Sequence, residues 1–286
     1  MSEPLTKQRE DELRTIAAEV RRSIVKTVHR AKAGHVGGPL SAVDMLTALY
    51  FEIMNVVPER PEWEDRDRFV LSKGHSSIAL YSVLAERGYF PKSELDTFDE
   101  IGSRLQAHPD MTKLPGLDMS TGSLGQGISA AVGMALAAKL TGRSYRTYCM
   151  IGDGESQEGQ VWEAADVASK YGLDNLTVLL DCNGLQQYGW AGDAPGSRAA
   201  PSTDPAARWE AFGFRVLTID GHDMRQIAAA CREAATVAGR PTIVVARTVK
   251  GKGVGFMEHD YLWHSRVPTD AELAAALSEL EGGNGR

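Results

Sequence analysis

Two hydrophobic rhythms alternate along this chain. Between residues 6 and 32 the apolar positions Leu13, Ile16, Ala17, Val20, Ile24 and Val28 recur at spacings of three and four, which predicts an amphipathic helix ending near Gly34. A second helix is predicted over 41–54, with Ser41 as its N-cap. Residues 69–71 form a short apolar run entering Ser72-Lys73-Gly74-His75, and 76–87 returns to a helical pattern. The stretch 90–121 is irregular, and 128–140 reads as a helix of small residues suited to close packing on a sheet. Two strand-length runs follow, 148–151 and 177–180. Between them 155–170 carries a stripe of Val161, Trp162, Ala165, Val167 and Ala168, so strand, helix and strand make one βαβ unit. Residues 189–204, rich in Gly, Ala, Pro and Ser, read as a surface loop, because the alternation resumes with a strand at 214–219, a helix at 224–237 and a strand at 242–248. The pattern predicts an α/β fold, a parallel sheet flanked by helices, over residues 1–286 as a single domain with a frayed end at 282–286.

Composition narrows the class of function. A chain of 286 residues with 43% hydrophobic content can bury a large core. A net charge of −7 argues against a phosphate-backbone binder, so nucleic acid is not an expected partner. The beginning, MSEPLTKQREDELR, lacks the basic and apolar segments of a signal peptide, and no run of about 20 apolar residues occurs, so no membrane association is expected. Three dispersed cysteines, Cys149, Cys182 and Cys231, give no disulfide framework, and a reducing cytoplasm is the simplest compartment.

The chemistry concentrates where the strands end. Gly152-Asp153-Gly154 follows the first run directly, and Asn183 lies thirty residues beyond the aspartate, at the end of the second run. Each offers a hard oxygen, which suits Mg²⁺ or Ca²⁺. The glycines allow an anion to approach the backbone closely. In an open parallel sheet, ligands sit beyond the carboxyl ends of the strands, and a metal-bridged diphosphate fits that place.

The segment GDGESQEGQVWEAADVASKYGLDNLTVLLDCNGLQ resembles the thiamine diphosphate fingerprint in the form found in transketolases. AGHVGGPLS at 33–41, DRFVLSKGHSSIALYSVL at 67–84 and HPDMTKLPGLDMSTGSLGQGISAAVGMALA at 108–137 resemble further transketolase blocks in the family's order, so the likeness covers nearly the whole chain. It implies a thiamine diphosphate-binding fold of the diphosphate-binding type. It also implies transfer of a two-carbon ketol unit from a ketose, or ketose phosphate, to an aldose. Fused transketolases are more than twice this length. The chain is therefore expected to be the N-terminal subunit of a split enzyme, with the pyrimidine-binding and C-terminal domains on a partner chain in an α₂β₂ assembly. The carboxylate that activates the coenzyme belongs to the pyrimidine domain, so this chain alone is expected to bind thiamine diphosphate poorly and to be inactive.

By resemblance the metal is held by Asp153, Asn183 and the main-chain carbonyl of Leu185, while Gly154 donates its amide to the diphosphate. Cys182 stands where Asn often precedes the ligand, a departure that leaves the metal set intact. Four of the seven histidines match family positions. His75 and His264 are implied at the diphosphate and His35 and His108 at the substrate hydroxyls, with His264 facing both; His259 competes for the His264 role. Imidazole, titrating near neutrality, can donate to phosphate oxygens or shuttle a hydroxyl proton. Gly122, Ser123 and Leu124, in TGSLGQG, are implied against the aminopyrimidine and thiazolium, and Glu158 at an interface between cofactor sites; a helix-start turn and a solvated helix charge are the plainer readings of these two. Lys250-Gly251-Lys252-Gly253 carries little weight, as an anion loop or a flexible basic turn. Other readings of the chain are a deoxyxylulose-phosphate synthase-like or 2-oxoacid dehydrogenase-like subunit, a regulatory subunit without catalysis, and a nucleotide-binding module without this coenzyme. The module reading lacks both GxGxxG after a first strand and GxxxxGK[ST].

Overall fold

The computed structural model describes residues 4–187 and 204–282. Five parallel strands form one sheet: β1 (Arg68–Leu71), β2 (Thr147–Gly152), β3 (Leu176–Cys182), β4 (Arg215–Asp220) and β5 (Thr242–Arg247), in the order β1-β2-β3-β5-β4. Eight α-helices are present among the described residues: α1 (Lys7–Ala31), α2 (Gly37–Ala48), α3 (Ser77–Arg87), α4 (Gln126–Leu140), α5 (Gly159–Lys170), α6 (Pro205–Ala211), α7 (Met224–Ala234) and α8 (Asp270–Gly282). None is long and apolar enough to cross a membrane.

The strands read as continuous apolar runs because both faces of the sheet are covered. Successive side chains point to opposite faces, so Tyr148 and Met150 join the core beneath α1, α2, α3, α7 and α8, while Cys149 and Ile151 join the core beneath α4, α5 and α6. Val178 and Leu180 share the second core, and Leu179 the first. Each face supports its own layer of helices, which makes the sheet rigid where the site residues leave it.

Several local expectations change. Ser41 is not an N-cap. The helix begins at Gly37 without a side-chain cap, and the Ser41 hydroxyl, inside the helix and buried, donates to the Gly38 carbonyl and to Asp181 Oδ2. That helix also does not run on regularly to Met54: it ends as α at Ala48 and continues as a π-helical turn, Leu49–Ile53, closed by the Met54 amide donating to the Leu49 carbonyl. The helix expected over 155–170 is broken at Glu158, whose ψ of 132° separates a 3₁₀ turn, Glu155–Gln157, from α5. Helices α6 and α8 have no counterpart in the sequence pattern. Asp204 caps α6 by accepting the Ala207 amide, and α8 packs on α1 through Ala276 and Leu280. The loop expected at 189–204 lies outside the described residues except for Asp204, as does 283–286.

Candidate active site at the carboxyl edge of the sheet

Asp153 follows β2 directly and Asn183 follows β3 directly, and the register pairs Gly152 with Asp181 on these adjacent strands. The Asp153 amide donates to the Asp181 carbonyl at 3.2 Å. Its carboxylate accepts from the Gly154 amide at 2.9 Å and from the Gly184 amide at 2.6 Å. Gly184 has φ of +73°, a conformation that turns the chain after β3 back toward β2. The Asn183 Oδ1 accepts the Leu185 amide at 3.1 Å. Asp153 is 6% exposed. Burial, with the Asp181 carboxylate nearby, pushes its carboxyl up to about 6 against the two amide hydrogen bonds. Among the described residues it has no ion-pair partner. A buried carboxylate that accepts hydrogen bonds only from amides is costly to keep ionised, and a hard cation beside it would favour the ionised form.

Four imidazoles gather in one cluster. His35 comes from the α1–α2 connection, His75 from the 3₁₀ turn Gly74–Ser76 after β1, and His264 from the 3₁₀ turn Tyr261–His264. Their ring centroids form a near-equilateral triangle: His35 to His264 5.1 Å, His35 to His75 5.2 Å and His75 to His264 5.2 Å. His108, which is exposed, lies 6.3 Å from His35. Burial pulls His35 down to about 4, helped by His108, Lys250 and Lys73, and His264 down to about 3, helped by Lys250 and His35; His75 falls well below the usual range for the same leading reason. All three are neutral imidazoles at pH 7. His35 Nδ1 is buried without a hydrogen-bond partner. His259 is exposed and makes no ring contact with this cluster.

Lys250 is not a flexible basic residue. It is 2% exposed, and its Nζ lies 2.9 Å from His264 Nδ1. Burial and the neighbouring Lys73 bring its ammonium down to about 8. Among the described residues it has no carboxylate partner. The site therefore holds two buried ionisable groups of opposite sign, Asp153 and Lys250, neither of which forms an ion pair among the described residues, although Lys250 feels the field of Asp153. A diphosphate bridged by a divalent metal matches both. The hard oxygens of Asp153 and Asn183 fit Mg²⁺ or Ca²⁺, and no grouping of three or more His, Cys, Asp or Glu side chains able to hold a metal ion occurs among the described residues, so the remaining ligands would have to be main-chain, diphosphate or water oxygens.

The loops fit against one another through glycine. A Cβ on Gly74 would lie 2.7 Å from the Gly122 amide nitrogen, and one on Gly122 would lie 3.0 Å from the His108 ring. Ser123 and Leu124 are exposed beside this contact, Leu124 at 37%. Glu158 is also exposed, and its Cβ abuts Gly125. These residues thus form one rim of the site.

Residues 13–280 match the transketolase, thiamine diphosphate binding domain family. The chain belongs to the transketolase family. It is 44% identical over 262 residues to the 6-deoxy-6-sulfo-D-fructose transketolase subunit SqwG of Clostridium sp. (strain MSTE9), covering 92% of this chain and 94% of that protein. It is 42% identical over 260 residues to one subunit of the apulose-4-phosphate transketolase of Phocaeicola vulgatus, covering 91% of this chain and 90% of that protein. The solved transketolase from Leishmania mexicana superposes with a TM-score of 0.86 at 30% identity, over 96% of this chain and 42% of that one. The protein is thus the thiamine diphosphate-binding part of a transketolase, on a parallel α/β sheet as the hydrophobic pattern predicts. Membership of this family sets aside the nucleotide module without the coenzyme.

Some buried residues beside these loops had no distinct signal in the sequence. Lys73, in Ser72-Lys73-Gly74-His75, is fully buried and pairs with Asp181, which also accepts from Ser41 and Thr248. An acidic residue inside the apolar run Leu176–Cys182 is the clue available in advance. Glu155 is likewise buried and accepts hydrogen bonds from Ser72, Gly125 and Gly152, the last residue of β2.

Proposed function

We propose that Asp153, Asn183 and the Leu185 carbonyl hold Mg²⁺ or Ca²⁺, and that the Gly154 amide, His75, His264 and Lys250 receive the diphosphate of thiamine diphosphate. The observation that carries this reading is the pair of buried groups of opposite sign, Asp153 and Lys250, neither of which has an ion-pair partner among the described residues. Gly122, Ser123 and Leu124 provide the surface for the aminopyrimidine and thiazolium. His35 and His108 contact sugar hydroxyls, and His264 serves both groups. The coenzyme, when bound, supplies the electron sink that lets a two-carbon ketol fragment leave a ketose and join an aldose. The chain's own part is to anchor, orient and exchange protons. His35, held neutral by burial, is not already protonated at pH 7 and so is available to exchange a proton with a substrate hydroxyl.

The catalytic unit is this chain with a C-terminal transketolase subunit carrying the pyrimidine domain, assembled as α₂β₂ in the cytoplasm. Exposure of Leu124 and Glu158 at the rim supports a second chain covering that edge, with Glu158 lying between coenzyme sites. The donor is a ketose or ketose phosphate and the acceptor an aldose; relatives named for 6-deoxy-6-sulfo-D-fructose and apulose-4-phosphate support a sugar carrying a terminal anion. Mixing the purified chain with a candidate partner, thiamine diphosphate and Mg²⁺, and following ketol transfer, tests the reading. Robust activity from the isolated chain would overturn the partner requirement, and failure of the complex to retain the coenzyme would overturn the site.

A further inference from the structure

Glu155 is a buried carboxylate, 3% exposed, with no ion-pair partner among the described residues. Its Oε1 accepts from the Ser72 hydroxyl at 2.6 Å and from the Gly125 amide at 2.9 Å, and its Oε2 from the Gly152 amide at 3.1 Å. These donors belong to three separate segments. Ser72 opens the turn that carries Lys73 and His75, Gly125 closes the turn that carries Gly122 and Leu124, and Gly152 immediately precedes Asp153. The segments are packed at the closest approach backbone allows: a Cβ on Gly127 would lie 2.7 Å from Ser72 Cα, and one on Gly125 would lie 2.8 Å from Glu158 Cβ. Gly125 itself has φ of +81°.

Burying an anion without a cation is costly, and a well-packed apolar or neutral side chain would serve the core better. Only an acceptor with two oxygens, each able to take more than one bond, can satisfy donors arriving from three directions. We infer that Glu155 is a positioning residue of the transketolase site, whose carboxylate registers the His75 turn, the Gly122–Leu124 turn and the Asp153 loop against one another before the coenzyme arrives. This inference rests on the functional reading above. A one-ångström slip between the turn that would face the thiazolium and the loop that would hold the metal would misplace one end of the bound coenzyme relative to the other.

Amide hydrogen exchange on the full chain, followed by titration of its complex with the partner subunit using thiamine diphosphate and Mg²⁺, tests this in Glu155→Ala and Glu155→Gln. In Glu155→Ala the Gly125 and Gly152 amides should exchange at least tenfold faster, with the coenzyme Kd raised by tenfold or more and the melting temperature little changed. Glu155→Gln keeps an oxygen for Ser72 and Gly125 and loses only the acceptor for Gly152, so its defects should fall between wild type and alanine; it also decides the matter if the alanine variant fails to fold. A purely structural residue would instead lower the melting temperature and raise exchange across the whole sheet. Unchanged exchange at Gly125 and Gly152 would overturn the inference, as would faster exchange with unaltered coenzyme affinity. If the wild-type complex itself retains no coenzyme, the functional reading fails, while the exchange data still decide whether Glu155 registers the loops.

Discussion

Lys73 Nζ donates to Asp181 Oδ2 beside the site, and the two side chains are 2% and 0% exposed. The Asp181 carboxylate also accepts from Ser41 and Thr248, and Lys73 donates in addition to the Gly38 carbonyl at 3.2 Å. The N-terminal end of α2, the turn after β1, and the ends of β3 and β5 are therefore joined by one ion pair. Removing one partner leaves the other charge buried and alone, which typically costs about 3–5 kcal/mol. Lys73→Met and Asp181→Asn should each lower stability by that order in urea titrations of the free chain. The double variant should recover part of the loss, because neither charge is then stranded. Additive losses would show that the pair is not coupled.

Asp153 makes the free chain sensitive to pH in a definite direction. Its carboxyl is raised from 3.8 to about 6, so the folded state prefers it protonated. The stability this group contributes is present in full below the unfolded value and is lost as pH rises through about 6. At 1.36 kcal/mol per pH unit the loss approaches about 3 kcal/mol by pH 8. Melting curves without metal should show Asp153→Asn gaining on wild type between pH 4 and pH 8. In the complex with the partner subunit, Mg²⁺ with thiamine diphosphate should reverse the order at pH 8, because only the carboxylate is compensated by the ion, and chelation with EDTA should restore it.

Much of this geometry was legible in the sequence because β2 and β3 are apolar runs that stop abruptly at Gly152-Asp153 and at Asn183. A strand buried on both faces announces its end by the first polar residue that can tolerate the edge. The histidine triangle was legible only through family likeness, since His35, His75 and His264 are far apart in the chain and no periodicity links them. Asp181 was hidden inside the run it interrupts. Lys250, with glycines on either side of Lys252, read as a mobile basic turn, yet Gly251 donates to the Gly37 carbonyl and this packing buries the ammonium. Ser41 looked like a cap by residue type. Its hydroxyl is instead committed to Asp181, a partner that only the tertiary fold supplies.

Lys250 titrates within reach of ordinary assays. Burial lowers its ammonium from 10.5 to about 8, so the charged form is disfavoured in the free chain; the stability linked to this group is present in full above the unfolded value and declines as pH falls through about 8. A bound diphosphate favours the charged form, so coenzyme affinity should fall as pH rises above 8. Lys250→Met should weaken binding on the order of ten- to a hundredfold, the worth of one hydrogen bond to a charged group, and should flatten this pH dependence. Calorimetric titration of the reconstituted complex between pH 7 and pH 9 reads both effects. An affinity that is independent of pH in wild type would remove Lys250 from the diphosphate site.

The imidazole cluster should stay neutral far below the usual range. His35 is drawn down to about 4 and His264 to about 3, chiefly by burial. In heteronuclear spectra of the free chain their ring resonances should not move between pH 8 and pH 5.5. Ring signals that titrate near 6.5 would mean that water fills the cluster. In the complex, His35→Ala should lower kcat/KM by roughly a hundred- to ten-thousandfold if His35 transfers a substrate proton, and the change should appear mainly in kcat.

Two glycine-to-alanine substitutions separate loop registration from general tolerance. Gly133, on an exposed turn of α4, has open space where a Cβ would stand. Alanine there removes the helix cost of glycine and should stabilise the free chain by about 0.5–1 kcal/mol. At Gly74 a Cβ would lie 2.7 Å from the Gly122 nitrogen and from the Thr121 carbonyl carbon, both backbone atoms that cannot rotate away. The turn carrying His75 would have to move off the turn carrying Gly122 and Leu124, at a cost of about 1–3 kcal/mol. Because that displacement opens the surface proposed to receive the coenzyme ring, Gly74→Ala should lose thiamine diphosphate affinity out of proportion to its loss of stability. Glu94→Ala, which breaks an ion pair with Arg104 away from the cofactor loops, gives the comparison. If both variants lose coenzyme only in step with their melting temperatures, the close contact between these turns shapes the fold and not the site.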